Sequence, residues 1–302
     1  MRVLVTGGSG FVGGRLCKKI HTHEVISLGR KPPTSNVSQV VLTPIASNLS
    51  YRDVLSAADV VVHCAGMSSS GTFEELDEIN VKSTLNLAVQ AYESGVKRFI
   101  FVSSIKVLGE TTLPGASFAP EDTPCPQDEY AFSKYRAEEG LISFAEKTGF
   151  DIVIIRPPMI YGKGMDGNLL KLARMAALPV PLPFAGVSNE RSLVHVENLI
   201  DLIEVCLDHP KARGMILHVS DDNDLSLAAL LKNIGEILGR KPRFFWVPSP
   251  VVKLFFLLLH KKGIYQRLFC SLRVNISNTK KILNWHPPMT VHQGLIETFK
   301  KF

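Results

Sequence analysis

Cysteine is scarce in this 302-residue chain, and where it occurs it is not arranged for chemistry. Cys17, Cys64, Cys125, Cys206 and Cys270 are far apart and odd in number, so no pair has zinc-site spacing and no disulfide framework is implied. Reduced thiols, no metal and a cytoplasmic location are the expectation. No apolar run is long enough to cross a bilayer. The stretch 251–259 is almost wholly apolar, but Lys253 interrupts it and His260-Lys261-Lys262 closes it, short of the roughly 20 residues a span requires. A buried helix is its first reading. A cationic helix lying weakly on a membrane surface through 250–262 is its second. Met1 runs straight into a strand-like segment, which leaves no room for a cleaved leader. Repeats, low-complexity segments and long linkers are also missing. The net charge of +6 is a mild excess read as spread along the chain. It argues for a basic pocket with an anionic substrate rather than for nucleic acid, whose binders cluster their charge on one stripe.

What is present is a regular alternation. Short apolar runs at 2–6, 24–28, 37–43, 58–63, 98–103 and 151–156 read as strands, and helical segments at 11–21, 79–94 and 129–148 separate several of them. Strands alternating with helices predict an α/β fold built on a doubly wound parallel sheet. After about residue 162 the pattern changes. Proline becomes frequent (Pro179, Pro181, Pro183), and helices dominate over 225–238 and again from Pro250. Residues 215–219 read as a short strand returning to the main sheet. The expected division is a dinucleotide-binding domain over 1–162 and a smaller, interleaved substrate lobe over 163–302.

Thr6-Gly7-Gly8-Ser9-Gly10-Phe11-Val12-Gly13 lies between the first strand and the first helix. Gly7 and Gly10 allow a sharp turn and close approach to a pyrophosphate, and Gly13 allows close packing of the helix. The free N–H groups at the helix start, around Phe11 and Val12, then suit an anion. The second strand ends Ser27-Leu28-Gly29-Arg30-Lys31, without the carboxylate that usually holds the ribose of NAD. Arg30 could pair with a 2′-phosphate, so NADP is preferred to NAD.

Tyr130 and Lys134 are four residues apart at the start of a predicted helix and share one face. A lysine cation beside a phenol is expected to lower the tyrosine pKa toward working pH. Tyr130 can then exchange a proton with a hydroxyl or carbonyl while hydride moves. Ser103 and Ser104 end the preceding strand, at the edge where open α/β sheets bind ligands. One of these hydroxyls can orient the reacting oxygen.

Taken together, these residues resemble the extended short-chain dehydrogenase/reductases, and in particular the NAD-dependent epimerase/dehydratase family acting on nucleotide-sugars. The resemblance covers essentially the whole chain and implies a Rossmann fold. It assigns Ser104, Tyr130 and Lys134 to catalysis, with Val107 and Gly109 fitting the serine motif. It places Ala65 and Gly66, in His63-Cys64-Ala65-Gly66, beside the cofactor, and Pro157, in Arg156-Pro157-Pro158, near the nicotinamide. Asn80 matches a family asparagine. Lys106, Asn168, Arg191 and Arg273 are implied substrate contacts, since a guanidinium suits a diphosphate.

Departures from the pattern narrow the reaction. Sugar 4,6-dehydratases carry an Asp-Glu pair where this chain has Ile105-Lys106, so dehydration is not expected. The branch that the chain is most similar to contains bacterial O-antigen-locus UDP-sugar 4-ketoreductases, and UDP-glucose 4-epimerase-like proteins belong with them. Reduction of a 4-keto-6-deoxy UDP-HexNAc by NADPH is therefore the first expectation. A UDP-hexose 4-epimerase holding NAD is the second, and a non-catalytic dinucleotide-binding regulator a distant third. Relatives often pair two helices per subunit, which implies a homodimer through 75–94 and 129–148.

Overall fold

The computed structural model describes residues 1–35, 37–68, 71–165 and 167–300, apart from the side chains of residues 168, 249 and 262. The strands are β1 (Arg2–Thr6), β2 (Glu24–Gly29), β3 (Gln39–Leu42), β4 (Val60–His63), β5 (Arg98–Val102), β6 (Asp151–Arg156), β7 (Met159–Tyr161), β8 (Leu193–His195) and β9 (Ile216–His218). Seven of them form one parallel sheet in the order β3-β2-β1-β4-β5-β6-β9, and β7 and β8 form a separate parallel pair. This is the doubly wound Rossmann architecture that the alternation predicted. The segment expected to return to the sheet does so as β9 beside β6.

Alternation along each strand builds two cores. Val3, Val5, Val62, Ile100 and Val153 face one side, where α1 (Phe11–Lys19) packs. Leu4, Val61, Phe99, Phe101 and Ile154 face the other. With both faces covered, the strands are apolar at successive positions, as a buried parallel sheet requires. Short α2 (Arg52–Leu55) lies at the edge. The helix expected at 79–94 is instead one stretch of three parts: α3 (Phe73–Leu76), a π-helical turn (Asp77–Lys82) and α4 (Ser83–Glu93). Single π-turns inside helices often mark sites of special side-chain placement. Long α5 (Glu129–Thr148) starts at Asp128, whose carboxylate accepts from the Ala131 amide at 2.7 Å, and ends at Gly149 with φ of +72°. Both are the expected cap chemistries.

The second half holds α6 (Asn168–Ala177), α7 (Val196–Cys206), α8 (Leu227–Ile237), α9 (Ser249–Leu258), α10 (Lys262–Phe269), α11 (Ser277–Leu283) and α12 (Val291–Phe299). A third core joins α6, α8 and α12 around Leu172, Leu231 and Leu295. Sequence reading missed α7, β7 and β8, because three-residue strands carry too little alternation to register. It also misjudged 251–259. As α9, this segment is not buried: Val251, Leu254, Phe255 and Leu258 are all exposed. No described helix is long and apolar enough to cross a membrane.

Three histidines are fully buried. His63 is held between the Thr6 and Thr84 hydroxyls at 2.8 and 2.9 Å. Burial pushes His63 and His218 down to about 3 and His195 to about 4, from an ordinary 6.5. Each stays neutral in the fold while its unfolded counterpart takes up a proton below pH 6.5, so stability is complete above that pH and drains away as pH falls toward the native values. The expected loss is up to about 1.4 kcal/mol per pH unit for each ring. Urea unfolding of the dinucleotide-free protein from pH 7 to pH 5 measures it, and a flat midpoint would contradict the burial.

Candidate active site

The chain leaves β1 toward β2 and β3 on one side, then crosses over to β4 on the other. The crevice between the carboxyl ends of β1 and β4 is the place such sheets reserve for a ligand. Gly7 (φ +71°) turns the chain there, and a Cβ on it would sit 3.0 Å from the Ala65 backbone beyond β4. The Gly10 amide donates to the Gly7 carbonyl at 2.8 Å. A Cβ on Gly13 would fall 2.4 Å from that same carbonyl. Gly13 therefore permits the loop to close on its own helix, rather than helix-to-sheet packing as its position suggested.

α1 has no side-chain cap at Gly10, so the amides of its first turn, at Phe11 and Val12, are left to an outside acceptor. Thr6 accepts from the Ala65 amide at 3.0 Å, holding the β4 loop beside the glycines. Asn80, on the π-turn, clamps both backbone polar groups of Met67 at 2.8 and 3.0 Å and donates to Ser133 of α5 at 2.9 Å. Gly66 lies under this clamp; a Cβ there would approach the Asn80 carbonyl at 3.1 Å and the Lys134 ammonium at 3.4 Å. Arg30 is exposed just beyond β2. Pro157 follows β6, its carbonyl accepting from the Ile105 amide at 2.9 Å. An uncapped helix start and a glycine cradle at the switch point fit a dinucleotide pyrophosphate.

Tyr130, Lys134 and Glu138 fall at successive i, i+4 positions on one face of α5. Glu138 is fully buried and pairs with Arg156 of β6 at 2.7 Å. It also accepts a short hydrogen bond from Ser103. Of the two serines after β5, Ser103 is thus occupied structurally. Ser104 instead faces the same cavity as the Tyr130 phenol, and its hydroxyl accepts from the Lys106 amide at 3.3 Å. The ammonium of Lys134 donates to the Val102 carbonyl at 3.1 Å and lies 4.6 Å over the Phe101 ring. Burial brings it down to about 8.

The expected acidification of the phenol by lysine is not what the structure shows. Burial pushes Tyr130 up to about 12, the neighbouring Ser104 hydroxyl opposes this, and the Asp128 carboxylate adds to it. Lys134 spends its charge on a carbonyl and a ring face. The phenol in this site is a proton holder.

Ser104 and Tyr130 open onto a cavity of about 490 Å³ between the sheet edge and the second half of the chain. Its apolar walls include Leu172, Met175, Leu230 and Leu268, and its cations are Lys106, Lys171, Arg191 and Arg267. Arg191 is anchored by the Cys270 carbonyl at 3.0 Å and faces no carboxylate partner at hydrogen-bond distance among the described residues. Lys106 is tied to Glu110 and Asp128, each at 2.5 Å. Arg273 is not brought here: it pairs with Asp224 at 2.8 Å and Glu190 at 3.2 Å, beside a different depression. Asn168 opens α6, and its side chain lies outside the described ones. Lys171 and Arg267 escaped sequence reading because no motif marks them; only helical spacing from apolar neighbours such as Ile264 and Leu268 could have suggested their facing.

Gly13→Ala is expected to weaken dinucleotide binding at least about tenfold, because the loop must open to relieve the overlap with the Gly7 carbonyl. Fluorescence titration with NADPH and NADH measures it, and unchanged affinity would remove the loop from the binding site.

Comparison with known proteins agrees with this geometry. The family model described as the NAD dependent epimerase/dehydratase family matches residues 3–219. A UDP-glucose 4-epimerase of Vibrio cholerae is 38% identical, over 99% of this chain and 95% of its own. An N-acetyl-alpha-D-glucosaminyl-diphospho-ditrans,octacis-undecaprenol 4-epimerase of Escherichia coli O157:H7 is 25% identical, over 99% and 94%. The crystal structure of UDP-glucuronic acid 4-epimerase from Bacillus cereus, in complex with NAD, shares the fold with a TM-score of 0.79 at 19% identity, over 99% of this chain and 97% of that one. With the glycine loop, the tyrosine–lysine face and the family match all on one chain, this protein belongs to the NAD-dependent epimerase/dehydratase family and is an enzyme.

Proposed function

We propose that the enzyme carries out hydride chemistry at C4 of a hexose linked to a nucleoside diphosphate. The observation that carries this is that Ser104 and Tyr130 line one cavity whose other walls hold Lys106, Lys171, Arg191 and Arg267. A diphosphate suits those cations, and a sugar oxygen suits the paired hydroxyls. Both the Vibrio cholerae and the Escherichia coli relatives are named as 4-epimerases of diphosphate-linked sugars.

In the reductive direction Tyr130 gives its proton to the C4 oxygen while the carbonyl carbon gains hydride, and ketone becomes alcohol. When bound, the reduced nicotinamide supplies that hydride. Ser104 orients the oxygen, Lys134 holds its charge one turn along the same helix face, and solvent returns the proton. A phenol pushed up to about 12 enters this step protonated, as a donor must. Arg30 at the β2 tip, with no carboxylate after Leu28 in Gly29-Arg30-Lys31, favours NADP. On these grounds our first reading is reduction of a 4-keto-6-deoxy UDP-HexNAc by NADPH, in cytoplasmic synthesis of a surface polysaccharide. The second reading is a UDP-hexose 4-epimerase holding NAD, supported by the 38% identity to the Vibrio cholerae enzyme. It uses the same residues with Tyr130 acting first as base. We also infer a homodimer through α4 and α5, whose outer faces expose Tyr92, Phe132 and Ile142.

One experiment divides the two readings. Nucleotide released by denaturing the purified enzyme is identified, and UDP-glucose is offered without added reductant. Exchangeable NADPH and no UDP-galactose support the reductase; retained NAD and UDP-galactose support the epimerase. Under either, Tyr130→Phe is expected to lower kcat by about 10²- to 10⁴-fold with dinucleotide affinity intact. Ser104→Ala should cost turnover, whereas Ser103→Ala should cost about 1–3 kcal/mol of stability, by stripping a partner from buried Glu138. Equal effects of the two serine substitutions on kcat would remove Ser104 from the reaction.

A further inference from the structure

The positive excess is not evenly spread. Residues 237–296 contain no Asp or Glu at all, yet hold ten Lys and Arg, more than the net +6 of the entire chain. At the centre of this acid-free segment stand α9 and α10. α9 is turned the wrong way round for a soluble helix. Val252 and Phe256 point inward, Phe256 meeting Tyr265 and Phe269 of α10 at ring distances of 6.2 and 5.8 Å. Val251, Leu254, Phe255 and Leu258, at i, i+3, i+4 and i+7, form the outward face. Leu254 and Phe255 are each 57% exposed and Leu258 is 71% exposed. Trp246, 68% exposed, precedes the helix. Lys253 on α9, Lys261 between α9 and α10, and Arg267 on α10 are exposed, and none has a carboxylate partner within ion-pair distance among the described residues.

A contiguous exposed apolar face on a water-soluble protein marks a binding surface. Its occupant is set by the rim. Unpaired cations with no acid in the whole segment repel a second copy of the same face, but complement anionic headgroups, which draw in Lys and Arg. An apolar face with flanking basic residues and an exposed tryptophan is the chemistry of a helix lying in the headgroup layer. We propose that the outer face of α9 docks the enzyme on an anionic lipid bilayer. The catalytic cavity opens beside α10, which packs on α9: Ile264 and Arg267 of α10 are exposed and also line the cavity wall. Docking therefore brings the cavity to the lipid surface, whatever reaction it performs.

The test is co-sedimentation of the full chain with vesicles of phosphatidylcholine alone or of equimolar phosphatidylcholine and phosphatidylglycerol. The wild-type protein is expected to pellet with the anionic vesicles only, and to be released by high salt. Leu254→Gln/Leu258→Gln, which spares the inward Val252 and Phe256, should reduce binding at least about tenfold. Lys253→Glu/Lys261→Glu should abolish the preference for anionic vesicles. Dinucleotide titration of each variant verifies the fold independently of lipid and of substrate. Wild-type protein that stays in the supernatant with both vesicles overturns the proposal. So does equal pelleting of wild type and the glutamine variant. A wild-type dimer that the glutamine pair dissociates, without vesicle binding by either, assigns the face to a second copy and overturns it too.

Discussion

A buried charge far from water must be paired, and here that requirement orients α5, the helix that carries Tyr130 and Lys134. Glu138 and Arg156 are nearly inaccessible, and the carboxylate meets the guanidinium at 2.7 Å while accepting from Ser103. Breaking such a pair strands an uncompensated charge, at a cost of about 3–5 kcal/mol. The pair links α5 to β6, and Ser103 links it to the end of β5. Because Tyr130 and Lys134 lie two turns and one turn earlier on the same face, the rotation that satisfies Glu138 also aims the phenol at Ser104. A structural pair two turns from the chemistry thereby defines the geometry of the chemistry.

A second set of polar contacts does the same for the cofactor side. Thr6, His63 and Thr84 form a buried chain from β1 through β4 to α4, and Thr6 also holds the Ala65 amide. Asn80 then ties the β4 loop to α5 through Met67 and Ser133. The glycine loop, the β4 loop and the tyrosine–lysine face are consequently one connected unit. The cavity opposite is assembled differently, from cations on the short 3-10 turn after β5, α6, α10 and the segment before β8, set among apolar side chains. There Arg191 and Arg267 have no carboxylate at ion-pair distance among the described residues, whereas Lys106 is held by Glu110 and Asp128.

Much of this was legible in the chain. The glycine spacing, the Tyr130–Lys134 interval and the β-branched runs of β4 and β6 are local signals, and local signals survive without a fold. The returning strand β9 could be read because its apolar run stood between helical stretches. Less local features were not. Ser103 and Ser104 are adjacent and chemically identical, so only the positions of Glu138 and Tyr130 distinguish them. Arg273 and Arg267 are both arginines near the same helix, yet one is consumed by Asp224 and Glu190 and the other reaches the cavity. The acidification expected of Tyr130 failed because burial, a property of the assembled site, outweighs a lysine engaged elsewhere.

By itself, then, the sequence determined the sheet, its glycine loop and the tyrosine–lysine pair on one helix face, since each depends on residues within a few positions of one another. The tertiary structure alone decided which serine faces the phenol, which cations enter the cavity and which face of α9 is left to solvent. Those outcomes depend on pairings between residues tens to hundreds of positions apart. Spacing along a chain carries no record of which distant partner will satisfy a buried charge first.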